Sequence, residues 1–232
     1  MGDLGLLVAL FLFCGLGIVL IYWGVKRGNS HMSQIRKAVE SRGDVFELLP
    51  GSYSKGLEIH IRASDGAWNL TIHQGQPSGP SKSRPSWSEW STPYAAVSSG
   101  AAMWAPKSEV GFGTKFGAIN GPVQSFVSNA LRRGLTRALD LPHQKMDVIP
   151  TPGRAGILLA TSDAKQALDN VLDHPQLLAL RQGRRLSRQP SVVRDVNGLR
   201  IRLQTPLNTA QDVLDVIDLG LTLSQTLDPH QT

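Results

Sequence analysis

The sequence predicts an α+β protein: a single N-terminal transmembrane helix followed by an extramembrane domain of mixed antiparallel sheet and helix. Three observations carry this. Residues Leu4 to Val25 run twenty-two in a row without a charge, and Lys26-Arg27 follows at once. Two stretches, 57–74 and 192–203, alternate apolar and polar residues about a turn signal, as half-buried hairpins do. Elsewhere apolar residues recur at helical spacing, and strands precede helices rather than alternating regularly with them, which argues against a doubly wound parallel sheet.

The first 28 residues read as the anchor. At about 1.5 Å per residue, a helix over Leu4–Val25 spans the hydrocarbon core of a bilayer, roughly 30 Å. Tyr22 and Trp23 close it at headgroup level. A cleaved signal peptide would carry a positive start and a small-residue cleavage site, and the N-terminus here is Met1-Gly2-Asp3. Gly5 and Ala9 form a small-x-x-x-small pair, which lets a second helix approach closely. Lys26, Arg27, His31, Arg36, Lys37 and Arg42 follow the run, and positive residues stay inside. The expected placement is a single pass through the cell inner membrane, with the N-terminus outside and the domain cytoplasmic.

A juxtamembrane helix is expected within 29–43. Met32, Ile35 and Val39 share one face and Gly43 ends it. A β-rich subdomain, 44–118, opens with a strand over 44–49. In 57–74, Leu57, Ile59 and Ile61 alternate with Glu58, His60 and Arg62. A tight turn at Asp65-Gly66 then pairs Ile59 with Ile72, Ile61 with Leu70, Glu58 with His73 and His60 with Thr71. Residues 75–86 are a Pro/Gly/Ser loop. Trp87 to Trp104 reads as further strands, with Trp87, Trp90, Tyr94 and Trp104 supplying bulk.

An α+β subdomain, 119–232, follows. Val123 to Leu139 keeps a helical spacing, 146–160 reads as a strand pair, and helices are expected near 162–173 and 175–181. Asn197-Gly198 marks a second hairpin as a type I′ turn, which pairs Asp195 with Arg200 and Val193 with Arg202. Val192, Val196, Leu199, Ile201 and Leu203 fill its other face. Asn208 is the expected N-cap of a last helix ending near Leu227, with Val213, Leu214, Ile217, Leu221 and Leu223 along its apolar face.

Lys and Arg number 24 against 18 Asp and Glu, a formal net charge of +6, and every basic residue follows the uncharged run Leu4–Val25. Such a domain beside a cytoplasmic leaflet is drawn to anionic lipid headgroups. The single cysteine, Cys14, lies in the apolar run, so the rest of the chain has neither a disulfide framework nor a cysteine zinc site. No phosphate-loop, dinucleotide or nucleophile-elbow motif is present, and no cofactor is expected.

Two constellations remain. Glu58, His60 and His73 share one face of the first hairpin, where two imidazoles and a carboxylate would suit a metal enzyme or hydrolase, although their spacing matches no metal motif. Arg181, Arg184, Arg185, Arg188, Arg194, Arg200 and Arg202 lie within twenty-two residues that hold one acid, Asp195. Guanidinium forks match carboxylate and phosphate, so the cluster would dock on acidic protein surfaces or lipid headgroups, or else be a solvated edge guarded by charge. The absence of an interleaved aromatic platform argues against nucleic acid.

The expected role is a non-enzymatic accessory or scaffold subunit that packs against a larger membrane complex: respiratory, photosynthetic or light-harvesting, a transporter or a secretion machine. Its partner-binding residues are Gly5, Ala9, Tyr22, Trp23, Arg181, Arg184, Arg185, Arg188, Arg200 and Arg202, helped by exposed tryptophans. The alternatives are a tethered hydrolase or metal enzyme on the Glu58/His60/His73 face, and a tethered lipid-binding, nucleic-acid-binding or sensor module.

Overall fold

In an extended chain Leu57, Ile59 and Ile61 cannot share a side with Glu58, His60 and Arg62, and the fold is built on that sorting. The computed structural model describes residues 30–49, 56–75, 86–106, 146–149, 156–181 and 189–228, with 16, 77–78 and 82–83. Nine strands form one sheet: β1 (Val45–Leu49), β2 (Leu57–Arg62), β3 (Asn69–Gln74), β6 (Trp87–Thr92), β7 (Ala101–Pro106), β8 (Asp147–Ile149), β9 (Gly156–Ala160), β10 (Ser191–Asp195) and β11 (Gly198–Leu203). Their order is β1-β2-β3-β6-β11-β10-β7-β9-β8, and all neighbours are antiparallel. β4 (Pro77–Ser78) and β5 (Lys82–Ser83) pair separately. The class is a mixed helix and antiparallel-sheet fold. The sheet draws strands from both the 44–118 and the 119–232 stretches, since β11 and β10 lie between β6 and β7.

Helices cover one face. Ile59, Ile61, Leu70, Ile72, Trp90, Trp104, Val192, Leu199 and Ile201 are fully buried there, in one cluster with Val213, Val216, Ile217 and Leu223 of the helix Ala210–Leu227. Gly220 of that helix lies directly on the Trp90 ring, and a Cβ there would overlap it. Thr209 caps the helix in place of the expected Asn208. Its Oγ1 accepts from the Asp212 backbone N–H at 3.1 Å and donates to the Asp212 carboxylate at 2.6 Å. Asn208 also has a partner residue three positions on, Gln211, but its side-chain oxygen can only accept, whereas the Thr209 hydroxyl both accepts and donates. Leu214 and Leu221 are only partly buried, and Val216 and Leu219 take the core positions.

Residues 30–41 are helical. Ile35 and Val39 enter the main core and Met32 packs against it, the face the spacing indicates. Gly43, at φ +84°, reverses the chain after Arg42 and Gly43 donate to the carbonyls of Val39 and Glu40. Arg42 also donates to Asp218 of the last helix at 2.7 Å, across 176 positions of sequence.

β7 is buried along its whole length. Ala102 and Trp104 join the helix-side core, while Ala101, Met103 and Ala105 join Met146, Leu159 and Val193 in a second cluster. A strand covered on both faces reads as a continuous apolar run, as AAMWAP does.

Neither hairpin closes as a type I′ turn, the form expected at Asn197-Gly198, because that turn needs positive φ at both central residues. Neither Asp65 nor Asn197 has positive φ. In the first hairpin Gly66 donates to Ala63 O, and the pairs Ile59–Ile72, Ile61–Leu70, Glu58–His73 and His60–Thr71 form as expected. In the second, Asp195 faces Gly198 and Val193 faces Arg200, so each partner lies two residues earlier than expected. An even shift keeps every side chain on its own face, but it leaves Val196 at the tip, exposed rather than in the core.

Among the described residues no helix is long and apolar enough to cross a membrane. The Leu4–Val25 run lies outside them except for Leu16, which is helical and exposed. The helix expected over 123–139 also lies outside them.

Candidate functional site

The sheet's second face is uncovered by the described helices where β1, β2, β3, β6 and β11 lie side by side, and the pairings set its side chains in straight rows. Glu47, His60, Thr71, Glu89 and Arg202 form one row across five strands. Leu49, Glu58, His73 and Trp87 form the row beside it, and Val45, Arg62, Asn69, Ser91 and Arg200 the row on the other side.

The rows are bound internally. The Trp87 indole stacks on His73, with centroids 5.6 Å apart and planes 25° from parallel. The Arg202 guanidinium sits 4.8 Å from the same indole centroid, within cation–π range, and reaches Glu89 Oε2 at 3.5 Å. Arg200 donates to Asp195 Oδ2 at 2.7 Å, and the Asp195 side chain is wholly buried. Removing such a partner would leave a buried charge uncompensated. Glu58 Oε1 lies 3.2 Å from His60 Nε2.

Arg200 and Arg202 are therefore tied to acids and to an indole rather than standing as a bare basic patch. Arg194 lies on the helix-covered face. Its Nε donates to Ala95 O at 2.6 Å and its Nη1 to Ala167 O at 2.9 Å. Ala95 has φ +61°, uncommon for a residue with a Cβ, and Arg194 fastens that strained turn to the 162–168 connection. Burial lowers the Arg194 pKa from its ordinary value, opposed by the Asp228 charge. Arg181 ends the helix Pro175–Arg181. Gly5, Ala9, Tyr22, Trp23, Arg184, Arg185 and Arg188 lie outside the described residues.

The structure brings Glu58, His60 and His73 onto adjacent rows of one face, as the alternation indicates. His60 and Glu58 meet, while His73 turns its ring onto Trp87. Among the described residues no three His, Cys, Asp or Glu side chains are placed to hold a metal ion. Trp68, Trp90 and Trp104 are buried in the core and Trp87 is half-buried, so these four tryptophans are not the exposed set the sequence reading expects. Trp90 and Trp104 do supply core bulk.

Sequence reasoning missed Trp87 and Glu89 as members of this face. Their signal was the alternation Trp87-Ser88-Glu89-Trp90-Ser91-Thr92, which puts Trp87 and Trp90 on opposite sides. No sequence feature tells that β6 lies between β3 and β11, more than a hundred residues apart. No protein-family model matches the chain, and no curated protein or solved structure is significantly similar to it.

Proposed function

We propose that the chain is a membrane-tethered, non-enzymatic accessory module that holds a rigid domain against a larger membrane complex on the cytoplasmic side. The observation that carries this is the seating of residues 30–41. This helix follows the uncharged run and its Lys26-Arg27 flank almost directly, yet it is part of the domain core through Ile35 and Val39 and is bolted to the last helix by Arg42 and Asp218. A core helix that begins five positions after the uncharged run keeps the domain close to the tether, which a positioning subunit needs and an enzyme on a long linker does not.

The polar sheet face supports the same reading. A half-buried tryptophan and two ordered arginines are residue types enriched where proteins meet, and their mutual contacts pre-organise them.

Purification of the untagged full-length chain in mild detergent, followed by mass spectrometry, tests the proposal. The expected result is membrane localisation and a stoichiometric membrane-protein partner that is lost with Trp87→Ala and kept with Lys37→Ala. Recovery from the soluble fraction, or as an isolated chain, overturns it.

A further inference from the structure

The sheet has two edges, and they are built differently. β8 is three residues long and carries Asp147, so it is blunted by shortness and charge. β1 is five residues, Val-Phe-Glu-Leu-Leu, paired to β2 at every position without a bulge or proline. Among the described residues it has no neighbour on its outer side. Val45, Leu48 and Leu49 are 38%, 45% and 39% exposed. Leu48 stands opposite Ile59, so the apolar floor under the helices runs out to the edge and stops uncovered. A straight apolar edge of this kind is a template for another extended chain.

A second copy fits it poorly. Antiparallel pairing of two β1 strands over their full length, with the helix-covered faces continuous, sets Glu47 opposite Glu47, and like charges directly opposite are destabilising. Shifting the register by one two-residue step leaves only three residues of each strand paired, 45–47 or 47–49.

We infer that β1 receives an extended segment of a different protein, added antiparallel as a tenth strand, with apolar side chains facing Phe46 and Leu48 and a basic side chain facing Glu47. Glu47 is exposed and is the strand's sole charge, and it heads the row that continues through His60, Thr71 and Glu89 to Arg202. A cation there completes a row whose far end is already paired. The inference names the partner's chemistry for the accessory role proposed above and rests on that reading.

The probe is a fluorescein-labelled peptide with Thr-Val-Lys-Val-Thr at its centre, titrated into the full-length protein in mild detergent. Polarisation reads affinity and amide exchange reads location. Binding that slows exchange in β1 is expected, with Lys→Glu in the peptide weakening it about ten-fold. Backbone N-methylation of the peptide should abolish it. Glu47→Lys, at an exposed site that leaves the core intact, should reverse the preference between the two peptides. Equal binding of the two peptides, indifference to N-methylation, protection elsewhere, or dimers of the chain that bury β1 would each overturn the inference. If a stoichiometric partner is recovered but the peptide fails, the edge is wrong and the accessory role stands; if no partner is recovered, the accessory role fails whatever the peptide does.

Discussion

The hairpins β2–β3 and β10–β11 share their turn chemistry and differ in what surrounds it. In each, an aspartate Oδ1 accepts the backbone N–H two residues on: Ala67 for Asp65 at 2.9 Å, Asn197 for Asp195 at 2.7 Å. Each has one glycine with positive φ, Gly66 at +75° and Gly198 at +120°. Asp65 and Gly66 are exposed, and nothing approaches the place a Gly66 Cβ would occupy. Asp195 is buried against Arg200, and a Cβ on Gly198 would overlap Thr92 O and crowd Pro93. The first turn is governed by its own residues. The second is governed by the sheet, because a buried aspartate fixes where the strand ends and β6 leaves room for no side chain at 198.

The largest test of that difference is Asp195→Ala. It removes the buried carboxylate that Arg200 and the Asn197 N–H both use, so a loss of about 3–5 kcal/mol is expected by urea unfolding. A loss under ~1 kcal/mol would mean that the ion pair does not set the turn.

Gly198→Ala adds a clash to backbone strain and should cost about 2–4 kcal/mol. Gly66→Ala, which meets the strain alone, should cost about 1 kcal/mol. Equal losses in the same unfolding assay would erase the distinction between the two turns.

The smallest effect sharpens the comparison. Asp65→Asn keeps the acceptor for Ala67 but removes a negative charge near Asp44. Burial raises the Asp44 pKa above the ordinary carboxylate value; Arg42 opposes this and Asp65 adds to it. An acid raised in the folded state favours folding while protonated, and that contribution is lost as pH rises through its folded pKa. In the Asn variant the Asp44 titration, followed by NMR, should move down and the loss on raising pH should shrink. An unmoved titration would separate the two residues electrically.

The alternation of 57–74 made the first hairpin legible down to individual pairs, and the Met32/Ile35/Val39 stripe placed the first described helix on the core. These signals are local. The second register was not legible, because the crowding at Gly198 comes from Thr92 and Pro93, a hundred positions earlier. The polar face was half legible. Glu58, His60 and His73 declared themselves by alternation, and the expected turn already set Arg200 beside Asp195, but Glu89 and Trp87, which hold Arg202, were not foreseen. Net charge counts groups and says nothing of their partners.

The docking of residues 30–41 also limits distance. Only four residues lie between Val25 and Ser30, and the five Cα–Cα steps that join them reach about 17 Å when stretched. Under the tethered reading proposed above, which puts Leu4–Val25 in lipid, the domain would hug the bilayer surface, and anything it grips would itself live within a protein's width of the headgroups.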